Sequence, residues 1–188
     1  RKDRNIDDYK DTLQNLLEET KNLQEMIDSL LFLSTQNKEA LKKEFIPVDI
    51  DLILLDVIEE LNTIALNKNI KINILDINSV EVTGNELLLK VMISNLLQNA
   101  FKYSNNNSNV DIYLTDNSLY IKDYGIGIKK EELLHIFDRF YRTDKARIRD
   151  GFGLGLSIVD LISKLHSFKI DIQSVYGEFT EVRIDFDT

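Results

Sequence analysis

Three polar side chains share one face of a predicted helix. Asn95 and Asn99 are four residues apart, and Lys102 follows three residues later on the same side. An amide oxygen can ligate Mg²⁺ without adding negative charge beside a polyphosphate, and a lysine ammonium can pair with phosphate. This face therefore suits magnesium and phosphate. The alternative for this segment alone is a solvated polar face that holds no ligand.

An aspartate and two glycines lie where a predicted strand ends. Asp123 comes first, and Gly125 and Gly127 are two residues apart in the segment DYGIGI. A carboxylate at a strand end can accept a hydrogen bond from an exocyclic amine such as that of adenine. Glycines permit a tight turn and a close backbone approach. The segment predicts either a site for an amine-bearing base or a simple glycine-rich strand exit.

A second glycine-rich segment, GFGLGLS, leads directly into a predicted helix. Gly151, Gly153 and Gly155 leave backbone N–H groups accessible at the positive end of the helix dipole, where an anion can bind. Their G-x-G-x-G spacing differs from the dinucleotide fingerprint, and the chain contains no G-x-x-x-x-G-K-[ST] phosphate loop. It also lacks the V-A-I-K and H-R-D segments of Ser/Thr/Tyr protein kinases.

Three aromatic residues and two arginines lie together in the segment FDRFYR, from Phe137 to Arg142. The aromatics can anchor the base of a loop and leave an arginine to reach phosphate. A helix end packed on the core remains the alternative for Phe137. The following stretch, Tyr141 to Gly151, is charged and has no periodic apolar face, so we expect a mobile loop.

Composition limits the classes of protein to which this chain can belong. Its 188 residues are 43% hydrophobic, which is enough for one ordinary domain plus an appendage. With 23 basic and 32 acidic residues, the formal charge is −9, which argues against unaided binding of nucleic acid or anionic membranes. The chain has no cysteine and no apolar run of about 18 residues. These features predict a soluble chain suited to the cytoplasm.

A heptad pattern runs through the first part of the chain. Its apolar positions are spaced by three and four residues, with lysine, glutamate, glutamine and asparagine between them. The stripe consists of Leu13, Leu16, Thr20, Leu23, Ile27, Leu30, Ser34 and Leu41, widened by Leu17, Met26 and Leu31. This width favours a helix in a four-helix bundle, while a solvated amphipathic linker helix remains the alternative.

The only proline, Pro47, marks the predicted domain boundary, because the residue before a proline is disfavoured in helical geometry. Asp51 is predicted to cap a helix that runs to about Asn67. Its inward residues are predicted to be Leu52, Leu55, Ile58, Leu61 and Leu66. Later helices are predicted over 85–101, 131–137 and 154–165, and strands over 70–74, 80–82, 110–114, 119–123, 169–174 and 180–186. This order predicts an α+β domain in which one helical layer covers one mixed sheet.

Together, and in their order along the chain, the four chemical segments resemble the N, G1, F and G2 boxes of sensor histidine kinases. The resemblance covers essentially the whole chain. Residues 47–188 resemble the catalytic ATP-binding domain, and residues 1–44 resemble the second helix of the dimerisation and phosphotransfer hairpin. The resemblance implies the Bergerat fold, an α/β sandwich shared with gyrase, the Hsp90 chaperones and MutL.

The resemblance also implies which residues bind ATP and Mg²⁺. Asn95 and Asn99 would hold the metal, Lys102 and Tyr103 would face phosphate and ribose, and Asp123 would bind adenine. The catalytic residues would be Asn95, Lys102 and Arg142, the last of them a phosphate contact in the lid. The remaining nucleotide-binding residues would be Gly125, Gly127, Ile128, Phe137, Gly153, Leu154, Gly155, Leu156 and Thr180.

The sequence departs from the family pattern in three places. The phosphoacceptor helix, with its histidine followed by an acidic residue, has no counterpart here, and His135 and His166 are predicted to be packing or capping residues. The usual Gly-Gly after His166 is Ser167-Phe168. A phenylalanine replaces a glycine directly before Thr180, which weakens the prediction that this threonine reaches the adenine site.

The resemblance implies an enzyme that transfers the γ-phosphate of ATP to a histidine absent from this chain, for relay to an aspartate of a cognate response regulator. In the related ATPases a glutamate at the position of Asn95 activates water. An amide cannot act as that base, so Asn95 favours a kinase over a hydrolase. A serine kinase of the anti-sigma type and a non-catalytic nucleotide-binding interaction module remain alternatives.

The implied setting is a bacterial two-component system. The full-length protein would be a homodimer, formed through the hairpin. The chain itself would be the cytoplasmic portion of an inner-membrane sensor, attached to the membrane only through segments absent from this sequence. No nucleic-acid partner is expected.

Overall fold

The computed structural model describes residues 20, 42–142 and 153–186. The chain divides into two compact units, residues 1–36 and 37–188, and the helices and strands below lie in the second unit. Thr20 is helical, and the rest of the predicted heptad stripe lies outside the described residues. The predicted domain ranges, 1–44 and 47–188, stay predictions.

The second unit has the predicted α+β architecture. From residue 46 onwards, the helices among its described residues are α1 (Ile50–Asn67), α2 (Glu86–Tyr103) and α3 (Gly155–His166). Its strands are β1 (Ile46–Asp49), β2 (Lys71–Ile77), β3 (Glu81–Gly84), β4 (Asn109–Thr115), β5 (Ser118–Asp123), β6 (Lys169–Val175) and β7 (Phe179–Asp185). Strands β2, β4, β5, β7 and β6 form one sheet in that order, and β1 pairs with β3 in a small second sheet.

The larger sheet is mixed, and the helices pack on one of its faces. β2 runs parallel to β4, and the other neighbouring strands are antiparallel. Alternate residues such as Val110 and Ile112 on β4, and Leu119 and Ile121 on β5, are buried. α2 contacts α1, α3 and β5. This arrangement places α2 over the strand that ends in Asp123.

Helix α1 buries a different face from the predicted one. It begins at Ile50, and Asp51 is not its cap but accepts a hydrogen bond from the Val80 amide (3.2 Å). Leu61 is buried as predicted and Ile58 is half-buried, whereas Leu52, Leu55 and Leu66 are 43–63% exposed. The buried residues are Ile50, Ile53, Leu54, Val57, Leu61 and Ala65. Apolar residues occupy both sides of this helix, so packing against α2 and β2 decided which side is buried.

Two shorter segments also differ from the predictions. Ile46–Asp49 forms strand β1, which was not predicted, and Pro47 stands opposite Thr83 of β3. Proline lacks an N–H group, so it is tolerated on an edge strand such as β1. Residues 131–137 form turns in place of the predicted helix. Bonds such as the one from the His135 amide to Glu132 O (2.9 Å) span three residues, where an α-helix needs four.

His166 lies at the end of α3 and is buried, as expected for a packing residue. Its ring stacks on Phe45, with centroids 4.4 Å apart. Its Nδ1–H group donates to the Ile162 carbonyl (2.9 Å), and Nε2 accepts from the Asn85 amide (3.1 Å). Both ring nitrogens are thus occupied in the neutral form. A second proton would remove the acceptor that Asn85 uses.

Acidification should destabilise the unit through His166. Burial lowers the pKa of His166 below its ordinary value of 6.5, and the positive charge of Lys42 lowers it further. Between that lowered pKa and 6.5 the unfolded chain binds more protons than the folded chain, so stability falls as the pH falls. Urea denaturation should give a lower free energy of unfolding at about pH 5.5 than at about pH 7.5, and this difference should be smaller in His166→Gln. Equal differences in the unaltered chain and the variant would contradict this prediction.

Candidate functional site

An open cleft lies between α2, the start of α3 and the sheet. Polar groups reach it from Asn99, Asp123, Arg142 and Thr180. The rest of its lining, which is mostly apolar, consists of Leu96, Ala100, Tyr103, Ile121, Ile126, Gly127, Ile128, Ile136, Tyr141, Leu156, Ile172 and Val182. A cleft of this composition suits a small organic ligand whose few polar groups are recognised individually.

Predicted site residues from distant parts of the chain meet at this cleft. Those in its lining are Asn99, Tyr103, Asp123, Gly127, Ile128, Arg142, Leu156 and Thr180. Those outside the lining are Asn95, Lys102, Gly125, Phe137, Gly153, Leu154 and Gly155.

Apart from Ile128 and Leu156, the apolar wall of the cleft was not among the predicted site residues. Leu96 precedes Asn99 by three residues, so helical spacing places the two on one face of α2. Val182 follows Thr180 by two residues, so both point to the same side of β7. These spacings were visible in the sequence. Selecting the wall residues also required knowing which face of each element closes the cleft.

Asp123 ends strand β5 at the cleft. It is 6% exposed and is paired across the sheet with Thr180 of β7. Phe179, which occupies the usual glycine position, lies with its ring 4.2 Å from the Lys122 ammonium. Successive side chains of a strand point to opposite faces of the sheet. Phe179 therefore does not displace Thr180, which lies on the face that lines the cleft.

Gly125 and Gly127 let the segment after β5 lie against neighbouring backbone. A Cβ at Gly125 would stand 2.0 Å from the Tyr103 carbonyl oxygen, and one at Gly127 would stand 2.1 Å from that of Val175. Gly127 also has a φ of +57°, which favours glycine. The Ile126 amide donates to the Tyr103 carbonyl (3.2 Å). The two glycines thus keep the end of α2 and the β6–β7 hairpin beside the cleft.

Gly155 brings the start of α3 against the amide face of α2. A Cβ at Gly155 would stand 2.9 Å from Asn95 Oδ1 and 3.5 Å from Asn99 Nδ2. Asn95 Nδ2 donates to the Val91 carbonyl of its own helix (2.8 Å), so its oxygen is the atom directed towards α3. The predicted amide pair and the predicted glycine-rich helix start therefore meet, with the positive end of the α3 dipole beside two amides.

Lys102 and Arg142 bring positive charge to this region. Lys102 Nζ lies 5.5 Å from the centre of the Tyr103 ring, and Tyr103 lines the cleft. Arg142 is half-buried and also lines the cleft. The predicted mobile loop falls largely on residues 143–152, which lie outside the described residues.

The aromatic segment contributes Tyr141 and Arg142 to the cleft lining. Ile136, directly before the segment, also lines the cleft, whereas Phe137 is half-buried outside the lining. Phe140 has a φ of +64°, and its amide donates to the Gly153 carbonyl (3.0 Å). Gly153 has a φ of +72°, and a Cβ there would stand 2.5 Å from the Tyr141 carbonyl oxygen. Gly153 thus permits close contact between the aromatic segment and the chain that leads into α3.

A family model described as "Histidine kinase-, DNA gyrase B-, and HSP90-like ATPase" matches residues 84–188. The match contains every residue that lines the cleft. The chain belongs to this family. Membership in this ATPase family agrees with the sandwich of helices and mixed sheet, so the predicted Bergerat fold is confirmed.

Curated sensor kinases resemble the chain over most of its length. It is 34% identical to the sensor protein kinase PmrB of Pseudomonas aeruginosa over 164 residues, which are 85% of this chain and 34% of PmrB. It is 32% identical to the sensor protein SrrB of Staphylococcus aureus over 184 residues, which are 93% of this chain and 31% of SrrB. The chain thus spans about a third of the length of these relatives.

Solved histidine kinase structures share the fold. The mycobacterial sensor histidine kinase MprB is 24% identical with a TM-score of 0.66, over 76% of this chain and 96% of that one. The Acinetobacter baumannii histidine kinase AdeS is 19% identical with a TM-score of 0.72, over 94% of this chain and 84% of that one. Among the residues described, we find no helix whose length and hydropathy would let it cross a bilayer.

Proposed function

We propose that this chain is the ATP-binding catalytic region of a sensor histidine kinase. It transfers the γ-phosphate of ATP to a histidine absent from this chain, and the phosphate then passes to an aspartate of a response regulator. The observation that carries the proposal is that Asp123 and Asn99 line one apolar cleft. Similarity to the sensor protein kinase PmrB supports the kinase activity.

The cleft suits the adenosine part of the nucleotide. The buried carboxylate of Asp123 accepts a hydrogen bond from the 6-amino group. Leu96 and Ile121 belong to the apolar wall, which excludes water from the base. Tyr103, at the end of α2, is assigned to the ribose.

The phosphate end of ATP is assigned to the amide face of α2. Asn95 Oδ1 is directed towards α3 and Asn99 lines the cleft, so this pair of amides suits a magnesium ion. Bound magnesium would neutralise charge on the phosphates. Lys102 and Arg142 pair with phosphate oxygens, and the start of α3 at Gly155 supplies backbone N–H groups.

Catalysis follows from positioning more than from covalent chemistry by the protein. A neutral imidazole nitrogen is already nucleophilic, so this domain has to hold the γ-phosphate in line with it. Asn95 carries an amide where the related ATPases carry a glutamate. This position therefore cannot activate water, which favours transfer to histidine over hydrolysis.

The proposed setting is a two-component pair with a cognate response regulator. The full-length protein is a homodimer through the hairpin to which residues 1–44 contribute, and this chain is the cytoplasmic portion of an inner-membrane sensor. PmrB and SrrB are named as sensor proteins, which supports this assignment. They give no support to an anti-sigma-type serine kinase or a non-catalytic module.

Calorimetric titration with ADP and GDP tests the nucleotide assignment. GDP presents a carbonyl oxygen where ADP presents an amine, so two acceptors would face each other at the buried Asp123. Such a mismatch costs about 1 to 3 kcal/mol, and we expect ADP to bind about 5- to 150-fold more tightly. Equal affinities for the two nucleotides would contradict the proposal.

A further inference from the structure

The Ser174 hydroxyl joins three segments beside the cleft. It lies on β6 and accepts a hydrogen bond from the amide of Ile128, in the glycine segment after β5 (2.8 Å). It also lies 2.7 Å from the Phe179 carbonyl oxygen and 3.1 Å from the Thr180 hydroxyl oxygen, both on β7. Ser174 itself is outside the cleft lining, whereas Ile128 and Thr180 belong to it.

The protons of this cluster can be assigned by elimination, because a hydroxyl has one proton and two lone pairs. The Phe179 carbonyl can only accept, so it receives the Ser174 proton. The Ile128 amide can only donate, so it occupies one Ser174 lone pair. The second lone pair faces Thr180, whose own proton is therefore directed at Ser174. Thr180 then presents only lone pairs to the cleft.

We infer that Ser174 is a positioning residue that sets the base specificity of the cleft through Thr180. Asp123, the cross-strand partner of Thr180, is a carboxylate and also accepts. The two side chains thus present neighbouring acceptors to the ligand. An exocyclic amine carries two N–H groups and can match both. A 6-oxo purine places a carbonyl oxygen there and faces both acceptors.

The ligand class selected in this way is a 6-aminopurine nucleotide, and the inference rests on the proposed nucleotide site. Asp123 alone discriminates against a 6-carbonyl, as argued above. Ser174 adds to this discrimination because it prevents Thr180 from turning its proton towards such a carbonyl. The two contributions can therefore be separated by substitution.

The test compares ADP with inosine diphosphate, whose base carries a 6-oxo group in place of the 6-amine. Calorimetry on the 188-residue chain measures the ratio of the two affinities, which favours ADP. Ser174→Ala leaves the Thr180 proton to turn towards a carbonyl oxygen in the cleft. We expect the ratio to fall by about 3- to 10-fold, the effect of one neutral hydrogen bond. Ser174→Thr keeps a hydroxyl and should restore the ratio.

A second substitution separates positioning from a general structural effect. Thr180→Val removes the hydroxyl that Ser174 orients, so adding Ser174→Ala to that variant should not change the ratio further. Ser118→Ala is the matched control. Ser118 is buried in the same sheet, begins β5 at the end opposite Asp123, and donates to Asp185 of β7 (2.6 Å). It should leave the ratio unchanged. Thermal unfolding checks each variant, and Ser174→Cys, a weak donor, replaces Ser174→Ala if the latter does not fold.

The outcomes distinguish this inference from the proposed function. The role of Ser174 would be overturned if folded Ser174→Ala kept the ratio of ADP to inosine diphosphate affinity unchanged. It would also be overturned if Ser174→Ala lowered this ratio equally in the unaltered chain and in Thr180→Val. Either result would leave the nucleotide assignment intact. Failure of the unaltered chain to bind ADP would overturn both.

Discussion

Incubated alone with ATP and Mg²⁺, this chain should acquire no acid-labile phosphate. His166 is 7% exposed, and its two ring nitrogens are engaged with the Ile162 carbonyl and the Asn85 amide. His135 is exposed, with its Nδ1 paired to Asp138 (2.9 Å), and neither histidine belongs to the cleft lining. Transfer requires an imidazole delivered in line with the γ-phosphate, and neither histidine meets this condition.

Labelling should appear in trans when a separate helical fragment is added. The fragment carries a histidine followed by an acidic residue and pairs with the predicted stripe of Leu16, Leu23 and Leu30. The label should reside on the fragment, because this chain supplies the nucleotide site. Asn99→Ala should reduce labelling by at least about 100-fold, since losing even an outer partner of a metal ligand costs about 10- to 100-fold. Acid-labile radiolabel measured after gel separation reports both effects.

Gln98→Ala is the matched control for this experiment. Gln98 is adjacent to Asn99, is exposed, and donates to Ser94 of the same helix (3.1 Å). It should keep the labelling rate within about 2-fold, as surface substitutions usually do. Phosphate on His135 or His166 without the fragment would contradict the assignment of these residues. Full labelling by Asn99→Ala would contradict the magnesium assignment.

Asp123→Asn should weaken ADP binding by about 10- to 100-fold, because a hydrogen bond to a charged acceptor contributes about 1.5 to 3 kcal/mol. The amide is nearly the same shape as the carboxylate but lacks its charge. It can also turn an N–H group towards a carbonyl oxygen. The affinity for GDP should therefore rise relative to the affinity for ADP. Calorimetry with both nucleotides measures the change.

The control for this substitution is Asp116→Asn. Asp116 is exposed in the turn between β4 and β5, where it accepts from Asn78 (2.6 Å). Its replacement should leave both affinities unchanged. If folded Asp123→Asn binds ADP as tightly as the unaltered chain, the carboxylate does not recognise the base.

The proposed chemistry of the site could be read from the sequence because its residues lie in short local patterns. Asn95 and Asn99 share a helix face by spacing alone, and Asp123 directly ends a strand that alternation identifies. Both kinds of pattern depend on interactions between residues a few positions apart. Apart from β1 and the helix wrongly predicted over 131–137, the order of helices and strands, and hence the α+β class, followed from the same local periods.

Which face of a helix is buried could not be predicted from local patterns. In α1, Leu52 and Leu66 satisfy helical periodicity as well as Leu54 and Val57 do, yet only the latter pair is buried. The sheet and α2 cover one side of α1. The buried side is therefore decided by contacts with elements that lie far from α1 in the chain. For the same reason β1 was missed, since its strand geometry depends on pairing with β3.

The sequence by itself predicted which side chains could bind magnesium, phosphate and an amine. Tertiary structure decided which of them meet. Thr180 lies beside Asp123 because β7 pairs with β5, and Ser174 reaches Ile128 because the β6–β7 hairpin packs on the glycine segment. Strand pairing is a long-range interaction whose register is set by the whole sheet, so no pattern within one segment encodes it.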